Sequence, residues 1–295
     1  MYDENTKYDK LSLERTIKGL SSLGIRQSPL TWEKAKIWTR QFEDGPEKAL
    51  ALLILRHLVF RTISQIESSL RQAVKAAAHH FREQYNLPEE SNWREILNGK
   101  IGGLSFYCSP PAGQFSSPGK SGELIARTIN RLFDVEKSYS YNFTVFKDDE
   151  HLLIVDDGTY TGEQLDTFLT NYTPAITASS KIAIIVAIAH EDAIARLRRN
   201  HPQIPVFYGE LLSKNHCFER LAESWISNSQ WPFTEISPID VYNSICTKHN
   251  LLKSGKCVLG FGNLGVIVGY EHGIPDDSLN ILWEKSESWL PLIDR

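Results

Sequence analysis

Sulfur is scarce in this chain: its 295 residues hold one methionine and four cysteines. The cysteines, Cys108, Cys217, Cys246 and Cys257, are too widely spread for the disulfide framework of a small secreted domain, so they read as reduced thiols. Thirteen prolines and 18 glycines are too few for a collagen-like or low-complexity chain. An excess of charge of one sign is also lacking. The 32 Lys and Arg against 36 Asp and Glu leave a formal charge of −4, which excludes a chain-wide basic field for nucleic acid or anionic lipid. The richest apolar run, residues 49–60, is interrupted by Arg56 and His57 and is too short to span a bilayer. The first residues, Met1-Tyr2-Asp3-Glu4-Asn5, do not form a basic segment followed by an apolar stretch, so no secretory leader and a cytoplasmic location are expected.

What is present is core-forming material. Hydrophobic residues make up 41% of the chain and aromatics 11%, enough for about two domains, or one α/β domain with an appended module. From residue 11 to about 95 apolar positions recur every three or four, as in Leu11, Leu13, Ile17 and Leu20 and in Trp32, Ala35, Ile37, Trp38 and Phe42. After Gly45-Pro46-Glu47 the pattern predicts one long helix over 48–85, with Leu52, Leu55, Val59, Ile63, Ile66, Leu70, Val74 and Ala77 on one side. A short helix over 93–97 follows. Such an amphipathic module is expected to form a packed cap, or a surface for self-association or a partner protein.

Beyond Ile101 short apolar runs alternate with helical patterns. Strands are predicted over 103–108, 141–146, 151–155 and 181–189, and helices over 123–133, 162–169, 191–199, 218–226 and 239–252. Residues 257–262 and 266–270, joined at Asn263-Leu264-Gly265, predict a terminal hairpin. The alternation argues for an α/β fold with a mainly parallel, Rossmann-like sheet. The expected division is an N-terminal helical module, 1–97, and an α/β domain, 98–295.

Chemistry concentrates between His151 and Leu165. Four apolar residues lead to Asp156 and Asp157, and the small-residue loop Gly158-Thr159-Tyr160-Thr161-Gly162 turns into a helix at Glu163 and Gln164. Ligands of open α/β sheets sit at strand carboxyl ends, and a loop entering a helix aims backbone N–H groups and a positive helix end at an anion. This predicts a phosphate site beside a carboxylate pair, which can accept hydrogen bonds from two sugar hydroxyls and help hold a hydrated Mg²⁺ against a diphosphate.

At these residues the chain resembles the type I phosphoribosyltransferase family, whose signature is a hydrophobic strand, two acidic residues, three variable positions and Thr-Gly-x-Thr. Gln164 stands where the family usually has a hydroxyl touching the 5′-phosphate, and Tyr160 where many members carry an acidic residue used in catalysis or base contact. The chain is also similar to a divergent branch of that superfamily found in bacterial conflict and phage-defence gene clusters. That likeness runs through the region around Trp38 and 49–55, the loop Pro118-Gly119-Lys120-Ser121-Gly122, residues 156–164, and 272–283. The resemblance implies a phosphoribosyltransferase-type sheet that binds phosphoribosyl diphosphate, or a related ribose-phosphate or nucleotide, with Mg²⁺ carried on the diphosphate, in an effector or accessory protein of antiphage defence. It implies that Asp156 and Asp157, with Tyr160, form the catalytic set, and that Gly158, Thr159, Thr161, Gly162, Glu163, Gln164, Lys120 and Ser121 hold substrate.

Three other readings compete with this one. A catalytically silent nucleotide sensor or scaffold would keep the pocket without the acidic and hydroxyl side chains. A P-loop ATPase would read 113–121 as its phosphate loop, but five residues separate the glycines where four are needed, and Pro118 lacks an N–H. A zinc site from Cys246, His249, Cys257 and His272 lacks a second tight ligand pair. The stretch 272–277 reads equally as a ligand-closing loop or as a turn before the apolar anchor Leu279, Ile281, Leu282 and Trp283.

Overall fold

The computed structural model describes residues 8–111, 121–137, 150–176, 181–251 and 258–294. Its contacts divide the chain into two units, Met1–Ile63 with Ser213–Arg295, and Ser64–Leu212.

The first unit contains α1 (Lys10–Ser22), α2 (Trp32–Thr39), α3 (Pro46–His57) and β1 (Val59–Arg61), then α9 (Phe218–Ser227), α10 (Pro238–Lys248), β7 (Val268–Tyr270) and α11 (Asn280–Trp283). Local chemistry starts the helices. The Asp9 carboxylate accepts the amides of Leu11 and Ser12, Thr31 accepts that of Lys34, and Gly45 at φ 93° turns the chain into Pro46. All seven residues from Ala49 to Leu55 are buried, so α3 is apolar around its whole circumference and needs neighbours on every side. It finds them in Leu13, Ile17 and Trp38 from one end of the chain and in Phe218, Tyr242, Ile245, Trp289 and Leu292 from the other. Trp38, Phe42 and Trp289 meet edge to face, with centroids 4.7 to 6.2 Å apart.

Two expectations are corrected here. The helix expected over 48–85 is broken after His57: Val59 donates its amide to the Ile267 carbonyl at 2.9 Å, and β1 pairs in parallel with β7 in the register Val59↔Val268. The apolar stripe runs through this break because a strand can continue a buried face. The terminal hairpin does not form either. Gly260, Gly262, Asn263 and Gly265 all have positive φ and wind the chain into a short 3₁₀ turn, Phe261–Asn263, so the following strand pairs with β1 instead. Residues 252–257 lie outside the described residues. The units also divide the chain differently from a cut at 97/98, because the N-terminal helices share one core with the C-terminal residues.

The second unit holds most of α4 (Ile63–Gln84), then α5 (Trp93–Leu97), β2 (Ser105–Ser109), α6 (Ser121–Phe133), β3 (Glu136–Lys137), β4 (Glu150–Thr159), α7 (Glu163–Ile176), β5 (Ile182–His190), α8 (Glu191–Asn200) and β6 (Val206–Leu212). Among the described residues its five strands are all parallel, in the order β3-β2-β4-β5-β6. Strand β5, flanked by β4 and β6, is buried throughout, as its unbroken apolar run requires. Leu152, Ile154, Ile184 and Val186 pack with Leu165, Phe168 and Leu169 of α7 and Ile194 and Leu197 of α8. Helix α4 buries the small residues Ser69, Ala73 and Ala77 at four-residue spacing. It comes so close to β6 that a Cβ on Gly209 would lie 2.3 Å from the Ser69 carbonyl oxygen. Strand β6 was not expected from the sequence; it is a half-buried edge strand interrupted by that glycine and shows no clear alternation. The strand expected over 141–146 lies outside the described residues.

Candidate functional site

Strand order locates the site. From β2 the chain passes through α6 to the outer strand β3, whereas from β4 it passes through α7 in the other direction to β5. The two connections diverge at the carboxyl ends of the neighbouring strands β2 and β4, which is where open α/β sheets form a ligand crevice. Pairing with β2 ends at Ser109↔Ile154, yet β4 continues to Thr159, held by β5 through Asp156↔Val186, Gly158↔Ile188 and Thr159↔Ala189. Among the described residues no strand pairs with this overhang on its β2 side. The strand expected to end at Val155 thus carries Asp156 to Thr159 as well, and the loop shrinks to Tyr160, Thr161 and Gly162.

The overhang carries the carboxylates. Asp156 is buried, and its Oδ1 accepts the Asp157 amide at 3.0 Å and the Ser121 hydroxyl at 3.4 Å. Asp157 is half-buried and accepts the Gly158 amide at 2.9 Å. Burial first, and then the neighbouring Asp157 carboxylate, push the Asp156 carboxyl well above the usual carboxylate range. Ser121 reaches Asp156 because Gly122 follows it. A Cβ at Gly122 would sit 2.7 Å from the Pro110 side chain and 3.6 Å from Asp156 Oδ1, so a larger residue would hold the start of α6 away from the strand end.

The profile of the PRTase-CE family matches residues 35–295. The chain belongs to this phosphoribosyltransferase-like family. No curated protein matches it. Among solved structures, the AQ2163 protein from Aquifex aeolicus is similar at 13% identity over 64% of this chain and 86% of that one, with a TM-score of 0.31, too slight a likeness to bear on function.

The remaining motif residues of this PRTase-CE chain fall into three groups. Thr159 and Tyr160 are buried, so the Tyr160 ring is part of the packing around the strand end. Thr161 and Gly162 shape the turn: Thr161 Oγ1 accepts the Glu163 amide at 3.4 Å, and Gly162 has φ +73°. A Cβ on Gly162 would meet the Ala193 Cα at 3.0 Å, so the glycine also permits the close approach of α8. Glu163 and Gln164 are exposed on the first turn of α7, and Glu163 pairs with Arg196 at 3.7 Å. Lys120 lies outside the described residues.

Mg²⁺ is commonly held by one or two carboxylates together with substrate phosphates, and the acids that would face one here are Asp157, half-buried, and the buried Asp156. Among the described residues no three metal-ligating side chains come together. Cys246 of the zinc alternative is buried beside Tyr242, and burial pushes its thiol up to about 12. In the 272–277 stretch, His272 stacks on Tyr270 with centroids 5.1 Å apart, and Leu279, Ile281 and Leu282 are buried. The sequence reading missed His190, the last residue of β5, which is fully buried and caps α8. Its signal was a polar residue closing an apolar run immediately before Glu191-Asp192, the acidic first turn of a helix. Among the described residues no helix is long and apolar enough to cross a membrane.

Proposed function

We propose that this PRTase-CE protein binds phosphoribosyl diphosphate, or a related ribose 5-phosphate or nucleotide, at the carboxyl ends of β2 and β4. The observation that carries the reading is the carboxylate pair on the overhanging end of β4, one short turn before α7. A buried carboxyl such as Asp156 gains most from donors brought by a ligand, and two ribose hydroxyls supply them. Asp157, the more accessible of the pair, makes the first contact. The Thr161 turn and the N-terminal amides of α7 receive the 5′-phosphate, and Gln164 can add its two amide donors. Mg²⁺ bound with the diphosphate supplies charge neutralisation.

With an acceptor present, this arrangement suits transfer of the ribosyl phosphate, in which departure of diphosphate builds oxocarbenium character at C1. The sensor reading keeps the same ligand without turnover. It is favoured by Tyr160, whose buried ring occupies the position of the family's acidic residue. The likeness of residues 38, 49–55, 118–122, 156–164 and 272–283 to the phage-defence branch supports a role in antiphage defence, and loss of phage protection on deleting its gene is the matching test.

Isothermal titration with phosphoribosyl diphosphate, ribose 5-phosphate and nucleoside monophosphates, with and without Mg²⁺, tests binding. Asp157→Asn should weaken affinity about ten-fold, the loss of one charge-assisted hydrogen bond. No heat and no thermal shift with any of these compounds would reject the proposal. Release of diphosphate on adding candidate acceptors would separate the enzyme from the sensor.

A further inference from the structure

We propose that His190 is a positioning residue for the Thr161-Gly162-Glu163 turn and acts on it through α8. His190 ends β5, one residue beyond Ala189, the partner of Thr159 in the sheet. Its Nδ1 accepts the Asp192 amide at 3.2 Å, which makes the side chain the N-cap of α8. Asn, Asp, Ser and Thr usually fill that position. At a fully buried strand end an imidazole supplies the acceptor and fills space without adding a negative charge beside Asp192.

The first turn of α8 is also the surface against which the motif is set. The backbone of Ala193 occupies the space left by the missing side chain of Gly162, 3.0 Å (Cα) and 3.2 Å (carbonyl oxygen) from where a Cβ would be. One turn further on, Arg196 pairs with Glu163 at 3.7 Å. Where α8 begins therefore decides where the turn before α7 can lie, and His190 decides where α8 begins. The consequence for ligand binding rests on the reading of this turn as a phosphate site; the mechanical coupling does not.

Hydrogen exchange on the full chain without ligand tests the coupling. His190→Leu fills the space but cannot accept, and should raise exchange of the 166–169 amides, which close the first turn of α7 from the Asp166 N–H to Gly162 carbonyl bond onward, about five-fold, the ratio corresponding to an N-cap bond of ~1 kcal/mol. His190→Asn restores an acceptor and should return those amides to the wild-type rate, a rescue that simple packing would not produce. Affinity for phosphoribosyl diphosphate with Mg²⁺ should fall and recover in the same order. Loosening confined to α8 in the Leu variant would overturn the inference. An Asn variant as loose as the Leu variant would also overturn it, because His190 would then act by bulk. If the Leu variant fails to fold, wild-type exchange in the Asn variant supports the inference and faster exchange at 166–169 rejects it. Expected exchange with no ligand binding to wild type would reject the phosphate reading alone, and binding with unchanged exchange would reject the positioning role alone.

Discussion

Replacing Gly162 by Ala would separate two reasons for the glycine of the Thr-Gly motif. The backbone there has φ +73°, a conformation that costs an L-residue about 1–2 kcal/mol. The added methyl would also stand 3.0 Å from Ala193 Cα, 3.2 Å from its carbonyl oxygen and 3.3 Å from its Cβ. Two of those atoms are backbone and cannot rotate away, and overpacking of this kind costs about 1–3 kcal/mol. Gly103 provides the control: it lies in the same unit at φ +64°, with nothing within 4 Å of where a methyl would stand. Gly103→Ala should show the backbone penalty alone, about 1 kcal/mol, and Gly162→Ala the sum, about 3 kcal/mol. At ~2–4 °C per kcal/mol these become melting shifts of about 2–4 °C and about 6–12 °C. Thermal and urea unfolding of both variants beside wild type would measure them. Equal losses would mean that α8 is not held against the turn, and the packing argument for this site would fail.

Other consequences concern charge, packing and boundaries. Asp156→Asn removes a carboxyl whose folded pKa is raised by burial and by Asp157. The folded wild type keeps a proton that the unfolded chain releases near pH ~4, so its stability falls as pH rises from there to the folded pKa and then levels off. Urea melts across pH should show the variant without that fall and more stable at neutral pH; an identical pH profile would refute the assignment. Gly209→Ala would push a methyl into the backbone of Ser69, and should destabilise by about 1–3 kcal/mol in denaturant melts; no change would contradict the close approach of α4 to β6. A chain starting at Asn98 would strip α1 to α3 from the core that Phe218, Tyr242 and Trp289 share, and should aggregate or melt without cooperativity. A monomer with a full cooperative transition would contradict this. Light scattering of the intact chain tests the self-association proposed for the N-terminal helices, and a monomeric mass would reject it.

What the sequence by itself determined were the features written in neighbouring residues. The short helix expected over 93–97 forms as α5, started by the Asn92 side chain, which accepts the Arg94 amide. The run from Ile182 to Ala189 can only be a buried strand or helix, and its flanks and β-branched residues select the strand. Paired acids after an apolar strand mark a ligand edge in any open α/β sheet, so the candidate site was legible before its surroundings were. What only the tertiary structure decided were the partners. Val59 and Phe60 continue the helical stripe of α3, and they leave it because β7 supplies a strand to pair with; the Glu271 carboxylate accepts the amide of Ile63 from 208 positions away. Asp156 to Thr159 become strand because β5 extends beside them, and Asp156 is shifted because it is buried next to Asp157. Caps, turns and periodicities act over a few residues, whereas register, burial and pKa depend on which distant segment arrives alongside, and no local pattern encodes that.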